Sequence, residues 1–144
     1  VISDVYLAKI ITDLIDNDSL KIKNKNIKVK MKLDEKAFAV MNESHAYSLL
    51  NNLIENAIKY NVQGGSISIT LTESEFIIKD TGIGISESDQ KKIFERFFRS
   101  YSVLGEEGSG LGLAIVKHIC SQYNFGLSVE SKLKKGTTFI VKFK

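Results

Sequence analysis

Asn52, Asn56, Lys59 and Tyr60 follow one another at intervals of four, three and one residues within Asn51–Tyr60, NNLIENAIKY. On a helix this spacing sets two amides, an ammonium and a phenol at neighbouring positions of one face. Asn is a poor helix former because its amide competes for backbone hydrogen bonds. A chain that places several of them in one amphipathic helix accepts that cost for some reason. A plain polar helix rim explains each residue taken alone.

A second cluster is DTGIGI, Asp80–Ile85, placed directly after an apolar run. Two glycines one residue apart let a backbone turn sharply and approach a ligand closely. The Asp80 carboxylate, at a strand end, can accept from an exocyclic amine, and a charge-assisted bond of that kind contributes about 1.5–3 kcal/mol. An ordinary Asp–Thr–Gly turn fits the same residues. A third cluster is GSGLGL, Gly108–Leu113, running into an apolar helix. Free amides at a helix start, behind glycines, suit phosphate. Its Gly-x-Gly-x-Gly spacing matches neither the dinucleotide fingerprint nor the P-loop. The fourth is FERFFR, Phe94–Arg99, whose rings suit a core and whose arginines, near a glycine loop, suit phosphate.

The elements that must carry these residues can be read from periodicity. Leu49, Leu50, Leu53, Ile54, Ala57 and Ile58 recur at three-to-four spacing, which predicts a helix from about Glu43, capped by Asn42, to about Asn61. Val5, Leu7, Ile10, Ile11, Leu14 and Ile15 predict a helix over Val1–Leu20 with a stop at Asn17–Asp18. Residues 27–33 alternate as a half-exposed strand, and Lys36–Met41 suits a second short one. Gly64–Gly65 turns the chain into a hairpin, Ser66–Leu71 with Glu75–Lys79. Ser86, with Asp89 three residues on, opens a short helix. Ser100–Ser109 reads as a mobile loop, Leu111–Tyr123 as a helix, and Gly126–Ser131 and Thr137–Lys142 as two closing strands. This order favours a single α+β layer pair over a doubly wound sheet.

Composition sets the outer bounds. The 144 residues suit one domain, and 43% hydrophobic with 26% charged residues suits a soluble globular one. A net charge of +3 does not by itself imply nucleic acid. Lysines gather at Lys21–Lys32 and Lys132–Lys144 and read as solvated faces. The single cysteine, Cys120, excludes an internal disulfide, fits a reducing compartment and lies in an apolar run suited to a core. No run approaches the ~18 apolar residues of a membrane span, and the start lacks a signal-peptide pattern.

Taken in order, NLIENAIKY, DTGIGI, FERFFR and GSGLGL, with GTTF at Gly136–Phe139, resemble the N, G1, F and G2 boxes of one family. That family is the catalytic, ATP-binding domain of bacterial two-component sensor histidine kinases, in the superfamily shared with gyrase B subunits and heat-shock chaperone ATPases. The resemblance runs from about Val5 to the end. It implies a two-layer α/β sandwich of the histidine-kinase ATPase (Bergerat) type, a mixed sheet packed on about three helices. It implies ATP and Mg²⁺ as cofactors, and transfer of the γ-phosphoryl group to a histidine.

Residue by residue, the resemblance makes Asn56 the Mg²⁺ ligand and Asp80 the adenine reader. Lys59 and Arg99 become phosphate contacts, and Tyr60 a wall near ribose and phosphates. Asn52 falls where hydrolysing relatives carry a general-base Glu; an amide cannot take a proton from water, which points to a kinase rather than a hydrolase. Asn52, Lys59 and Arg99 are thus the expected catalytic set. Gly82 and Gly84 would shape the base pocket, and Ile85 and Phe97 would be further nucleotide-binding residues. Gly108, Gly110 and Gly112 would form the hinge and phosphate cradle, Ser109, Leu111, Leu113 and Thr137 would be further nucleotide-binding residues, and Arg96–Glu107 would be the ATP lid.

Several positions depart from the family pattern. Asn61 and Val62 stand where Thr and Pro are common, Asn124–Phe125 replaces a frequent Gly, and the end KFK lacks the usual Leu–Pro. None is a metal or adenine group. His45 and His118 precede Ala46 and Ile119, whereas the family's phosphorylated His precedes an acidic residue. The acceptor is therefore expected on a dimerisation domain upstream, with residues 1–144 forming one catalytic domain of a longer, homodimeric, membrane-anchored sensor. This domain itself would be cytoplasmic, without nucleic-acid or membrane contact, and a response regulator would act downstream. Two alternatives stand beside this one: a stand-alone anti-sigma-factor-type serine kinase, and a nucleotide-gated binding module without transfer activity.

Overall fold

A computed structural model of the chain describes residues 1–95 and 112–144. The first half holds β1 (Ile2–Tyr6), α1 (Leu7–Asn17), α2 (Ser19–Asn24), β2 (Lys28–Leu33), β3 (Phe38–Asn42) and α3 (Glu43–Lys59). The second holds β4 (Ser66–Leu71), β5 (Glu75–Asp80), α4 (Glu87–Gln90), α5 (Gly112–Gln122), β6 (Gly126–Lys132) and β7 (Gly136–Lys142).

Five strands form a mixed sheet in the order β2-β4-β5-β7-β6, in which only the β2–β4 pair is parallel. A parallel pair needs a crossover, and β3 with α3 supplies it. Period-two alternation sends Ile67, Ile69 and Leu71 of β4 to the same face as Phe76 and Ile78 of β5 and Phe139 and Val141 of β7, all buried. Helices cover that face: α3 packs on β5, α5 on β6 and α3, and α1 on α3. The result is the expected α+β sandwich.

α3 buries Ala46, Leu49, Leu50, Leu53, Ile54, Ala57 and Ile58. Burying side chains of the Leu or Ile type contributes about 1.5–3 kcal/mol each, so this stripe fixes the rotation of α3 and hence where its polar face points. Asn42 caps the helix, its Oδ1 accepting from the Ser44 amide at 2.8 Å.

The structure corrects the start of the chain. Residues 2–6 form β1, antiparallel to β3 in a separate two-stranded sheet, and not the first turns of a helix. Val5 is the only buried residue of β1, so the alternation of a strand is invisible there, and Val5 with Leu7 fits the helical period by accident. The predicted stop holds, as α1 ends at Asn17.

In the lysine-rich stretch, Lys21, Lys23, Lys28, Lys30 and Lys32 are exposed as expected of a solvated face, and Lys25 is the exception. Lys25 is half-buried and ties α2 to the end of α3. Asn124 takes φ +57°, and the Phe125 and Asn124 amides donate to the Cys120 and Ser121 carbonyls, closing α5 in a Schellman motif. That explains an Asn where glycine is frequent: both tolerate the left-handed region.

Candidate functional site

The polar face of α3 is organised from Ser48 to Tyr60. Asn52 Nδ2 donates to the Ser48 carbonyl at 2.7 Å, leaving Oδ1 directed toward Gly112, where a Cβ would stand 3.0 Å from it. One turn on, Asn56 is half-buried, and its amide makes no hydrogen bond among the described residues. Lys59 Nζ lies 5.4 Å from the centre of the Tyr60 ring.

Asp80 is placed by the alternation of β5, two residues beyond Ile78 and four beyond Phe76, so it points to the covered face. Val29, Ile67, Asp80, Thr137 and Ser131 lie in register across all five strands, forming the last row of an otherwise apolar face. Asp80 is 4% exposed. Its Oδ1 accepts from the Gly82 amide at 2.8 Å and the Thr137 amide at 3.3 Å, while Oδ2 accepts from no group among the described residues. Burial pushes its pKa up to about 6, and the two amide hydrogen bonds oppose the rise.

The loop after Asp80 is held on three sides. The Ile83 amide donates to the Tyr60 carbonyl at 3.0 Å, joining the loop to the end of α3. At Gly82 a Cβ would fall 2.2 Å from that same carbonyl, so only glycine permits the approach. Gly84 has φ +75° and would bring a Cβ to 2.0 Å from the Lys132 carbonyl. On the far side, Ile85 N donates to Ser131 Oγ at 2.8 Å and Lys134 N donates to the Ile83 carbonyl at 2.7 Å. Gln90 Nε2 donates to the carbonyls of Ile85 and Ser131.

Ser131 and Asn61 are the residues that sequence reasoning missed. With Ser131 Oγ donating to the Gly136 carbonyl at 2.9 Å, its lone pairs receive Ile85 N and the Thr137 hydroxyl, which lies at 2.8 Å. One hydroxyl thus links the loop, β6 and the strand bearing Thr137. Asn61, 6% exposed, donates to the Ser66 carbonyl and accepts from the Val62 amide and the Thr81 hydroxyl. It joins the end of α3 to β4 and to the loop. The signal for Asn61 was its place directly after the helix; for Ser131, a hydroxyl in the register row of Asp80, no signal exists without the pairing.

Among the other expected residues, Gly112 opens α5 and Leu113 packs partly buried against the core. Phe94 meets Phe139 edge-on, with ring centres 6.2 Å apart. Phe97, Arg99, Gly108, Ser109, Gly110 and Leu111, and the expected lid Arg96–Glu107 and loop Ser100–Ser109, lie outside the described residues. Cys120 is buried as expected, and burial pushes its thiol up to about 11, which keeps it protonated. His118 is exposed, and His45 Nδ1 lies 2.5 Å from the Tyr123 hydroxyl.

The donor chemistry can be tested against a hard cation. Among the described residues no group of three or more His, Cys, Asp and Glu side chains could hold a metal ion. Mg²⁺ is a hard cation that takes oxygen ligands and leaves most positions to substrate phosphates and waters; the Asn56 amide, uncommitted among the described residues, offers one such oxygen, though not the carboxylate more commonly used. Among the described residues no helix is long and apolar enough to cross a membrane.

The family described as "Histidine kinase-, DNA gyrase B-, and HSP90-like ATPase" matches residues 41–144. The chain is 44% identical over 110 residues to the sensor histidine kinase RppB of Synechocystis, covering 72% of this chain and 24% of that protein. It is 34% identical over 143 residues to the sensor-like histidine kinase SenX3 of Mycobacterium tuberculosis, covering 95% and 35%. It therefore spans about a quarter to a third of the length of these relatives. The structure superposes on the mycobacterial sensor histidine kinase MprB with a TM-score of 0.85 at 25% identity, covering 98% of this chain and 97% of that one. With α3, the Asp80 loop and Thr137 all inside the matched residues, the chain belongs to the histidine kinase-, gyrase B- and HSP90-like ATPase family.

Proposed function

We propose that this chain binds ATP with Mg²⁺ and presents the γ-phosphoryl group to a histidine on a separate dimerisation domain. The observation that carries the reading is Asp80: a buried carboxylate at the sheet end with one oxygen held by two amides and the other uncommitted among the described residues. Such a group accepts from an adenine amine and orients the base. Gly82 and Gly84 keep the neighbouring backbone close enough to border the base, with Ile85, and Thr137 braces the carboxylate.

Asn56 would hold the Mg²⁺ through its amide oxygen. When bound, the ion neutralises phosphate charge. Lys59 offers a second cation to the phosphates from the same helix end, beside the Tyr60 ring. Arg99, Phe97 and the glycines Gly108, Gly110 and Gly112, with Ser109, Leu111 and Leu113, complete the phosphate side in this reading. Catalysis is then mainly positioning and charge stabilisation.

Asn52 decides the acceptor. Its Nδ2 is spent on the Ser48 carbonyl, and an amide takes no proton from water. Water is left unactivated, and the acceptor imidazole, nucleophilic without a base from this chain, attacks the phosphorus as ADP leaves. The acceptor domain would belong to a longer, homodimeric sensor kinase whose catalytic domain lies in the cytoplasm, and a response regulator would take the phosphoryl group onward.

The test is to incubate the chain with γ-labelled ATP and a histidine-bearing dimerisation domain. The reading expects acid-labile label on that domain and little free phosphate. Acid-stable label on serine, or ATP binding with no label transferred to any acceptor, would contradict it.

A further inference from the structure

We infer that Lys25 is a positioning residue for the phosphate and metal end of the site, an inference that rests on the nucleotide reading above. Its Nζ donates to the carbonyls of Lys59 at 2.7 Å, Ile58 at 3.0 Å and Asn61 at 3.4 Å. These belong to the last turn of α3 and the residues after it, where carbonyls lack intrahelical partners and carry the negative end of the helix dipole. One ammonium therefore satisfies three acceptors and places its charge where the dipole favours it.

The lysine is itself held. The Ile27 and Asn26 amides donate to the Ile22 and Lys23 carbonyls, and Asn26 has φ +53°, so α2 closes in a Schellman motif around Lys25. The Gly64 amide donates to the Lys25 carbonyl at 2.8 Å, and the Lys28 amide to the Gly65 carbonyl at 2.9 Å. A fixed backbone on α2 and the loop from Asn61 to Gly65 thus make Lys25 a strut.

What the strut supports is the turn bearing Asn56, Lys59 and Tyr60. The carbonyl of Tyr60, between two of the Lys25 acceptors, receives the Ile83 amide of the loop after Asp80. Lys25 contacts no part of the proposed nucleotide. It acts by holding the helix end that carries the groups facing metal and phosphate, and displacements near 1 Å at such groups cost up to about a hundred-fold in rate.

The experiment compares wild type with Lys25→Met and Lys25→Arg in two readouts. Hydrogen exchange in the nucleotide-free protein should show faster exchange at the Tyr60 and Ile83 amides in Lys25→Met and protection kept in Lys25→Arg. Titration should show Mg·ATP affinity about ten-fold weaker in Lys25→Met, Mg-free ATP weakened less, adenosine unchanged and Lys25→Arg close to wild type. Unchanged exchange at Tyr60 overturns the strut, even in a protein that binds ATP. Equal weakening of Mg·ATP and of adenosine reduces Lys25 to a general stabiliser and overturns the positioning role. A wild type in which Mg²⁺ adds nothing to ATP affinity contradicts the nucleotide reading itself, whatever the exchange data say about the strut.

Discussion

The amide of Thr137, on the last strand, donates at 3.3 Å to the carboxylate of Asp80, directly opposite it in the register of β5 and β7. A carboxyl group is thereby held at the edge of an apolar sheet face against backbone amides, without a cation beside it among the described residues. This arrangement has a pH signature. The pKa of Asp80 is raised to about 6 from 3.8, so the folded, nucleotide-free protein prefers the neutral acid. The favourable contribution is fully present below the unfolded value and is lost as pH rises through the folded one. Between pH 4.5 and 8, urea unfolding should show the stability of Asp80→Asn gaining on wild type by about 2 kcal/mol. A pH-independent difference would remove the burial argument.

Binding should run the other way. The exocyclic amine of adenine donates to an ionised carboxylate better than to a neutral acid, so ATP affinity should rise as pH climbs through about 6.

Gly84 offers a steric test. Alanine there meets the Lys132 carbonyl and an unfavourable positive φ, so Gly84→Ala should displace the loop from β6 and the strand bearing Thr137. The expected result is a protein destabilised by roughly 1–3 kcal/mol with weakened ATP binding. Unchanged melting and affinity would show that the loop is not pinned there.

Asn56→Ala should remove the gain that Mg²⁺ confers on ATP affinity while leaving adenosine binding and folding intact, since the amide has no partner among the described residues. A retained Mg²⁺ effect would take the ligand role away from Asn56.

Much of this architecture was legible because the buried stripes are long. α3 and the β4–β5 hairpin declare their periods over many residues, and Asp80 follows Phe76 and Ile78 at the same interval of two. β1 was not legible, since a strand with one buried residue has no period to show. Lys25 and Ser131 were not legible for another reason. Their roles depend on carbonyls and amides brought close by tertiary packing, and side-chain type alone does not disclose which backbone groups a lysine or serine will meet. The roles of Asn52 and Asn56 rest on the family resemblance, while their common face rests on spacing alone.

The most direct measurement of the central claim is a calorimetric titration of ATP and GTP, each with Mg²⁺, into wild type and Asp80→Asn. The account predicts that wild type prefers ATP, and that Asp80→Asn weakens ATP by about ten-fold or more and narrows its advantage over GTP. Full retention of ATP affinity and of the preference over GTP would contradict the assignment of Asp80 as the group that reads the base.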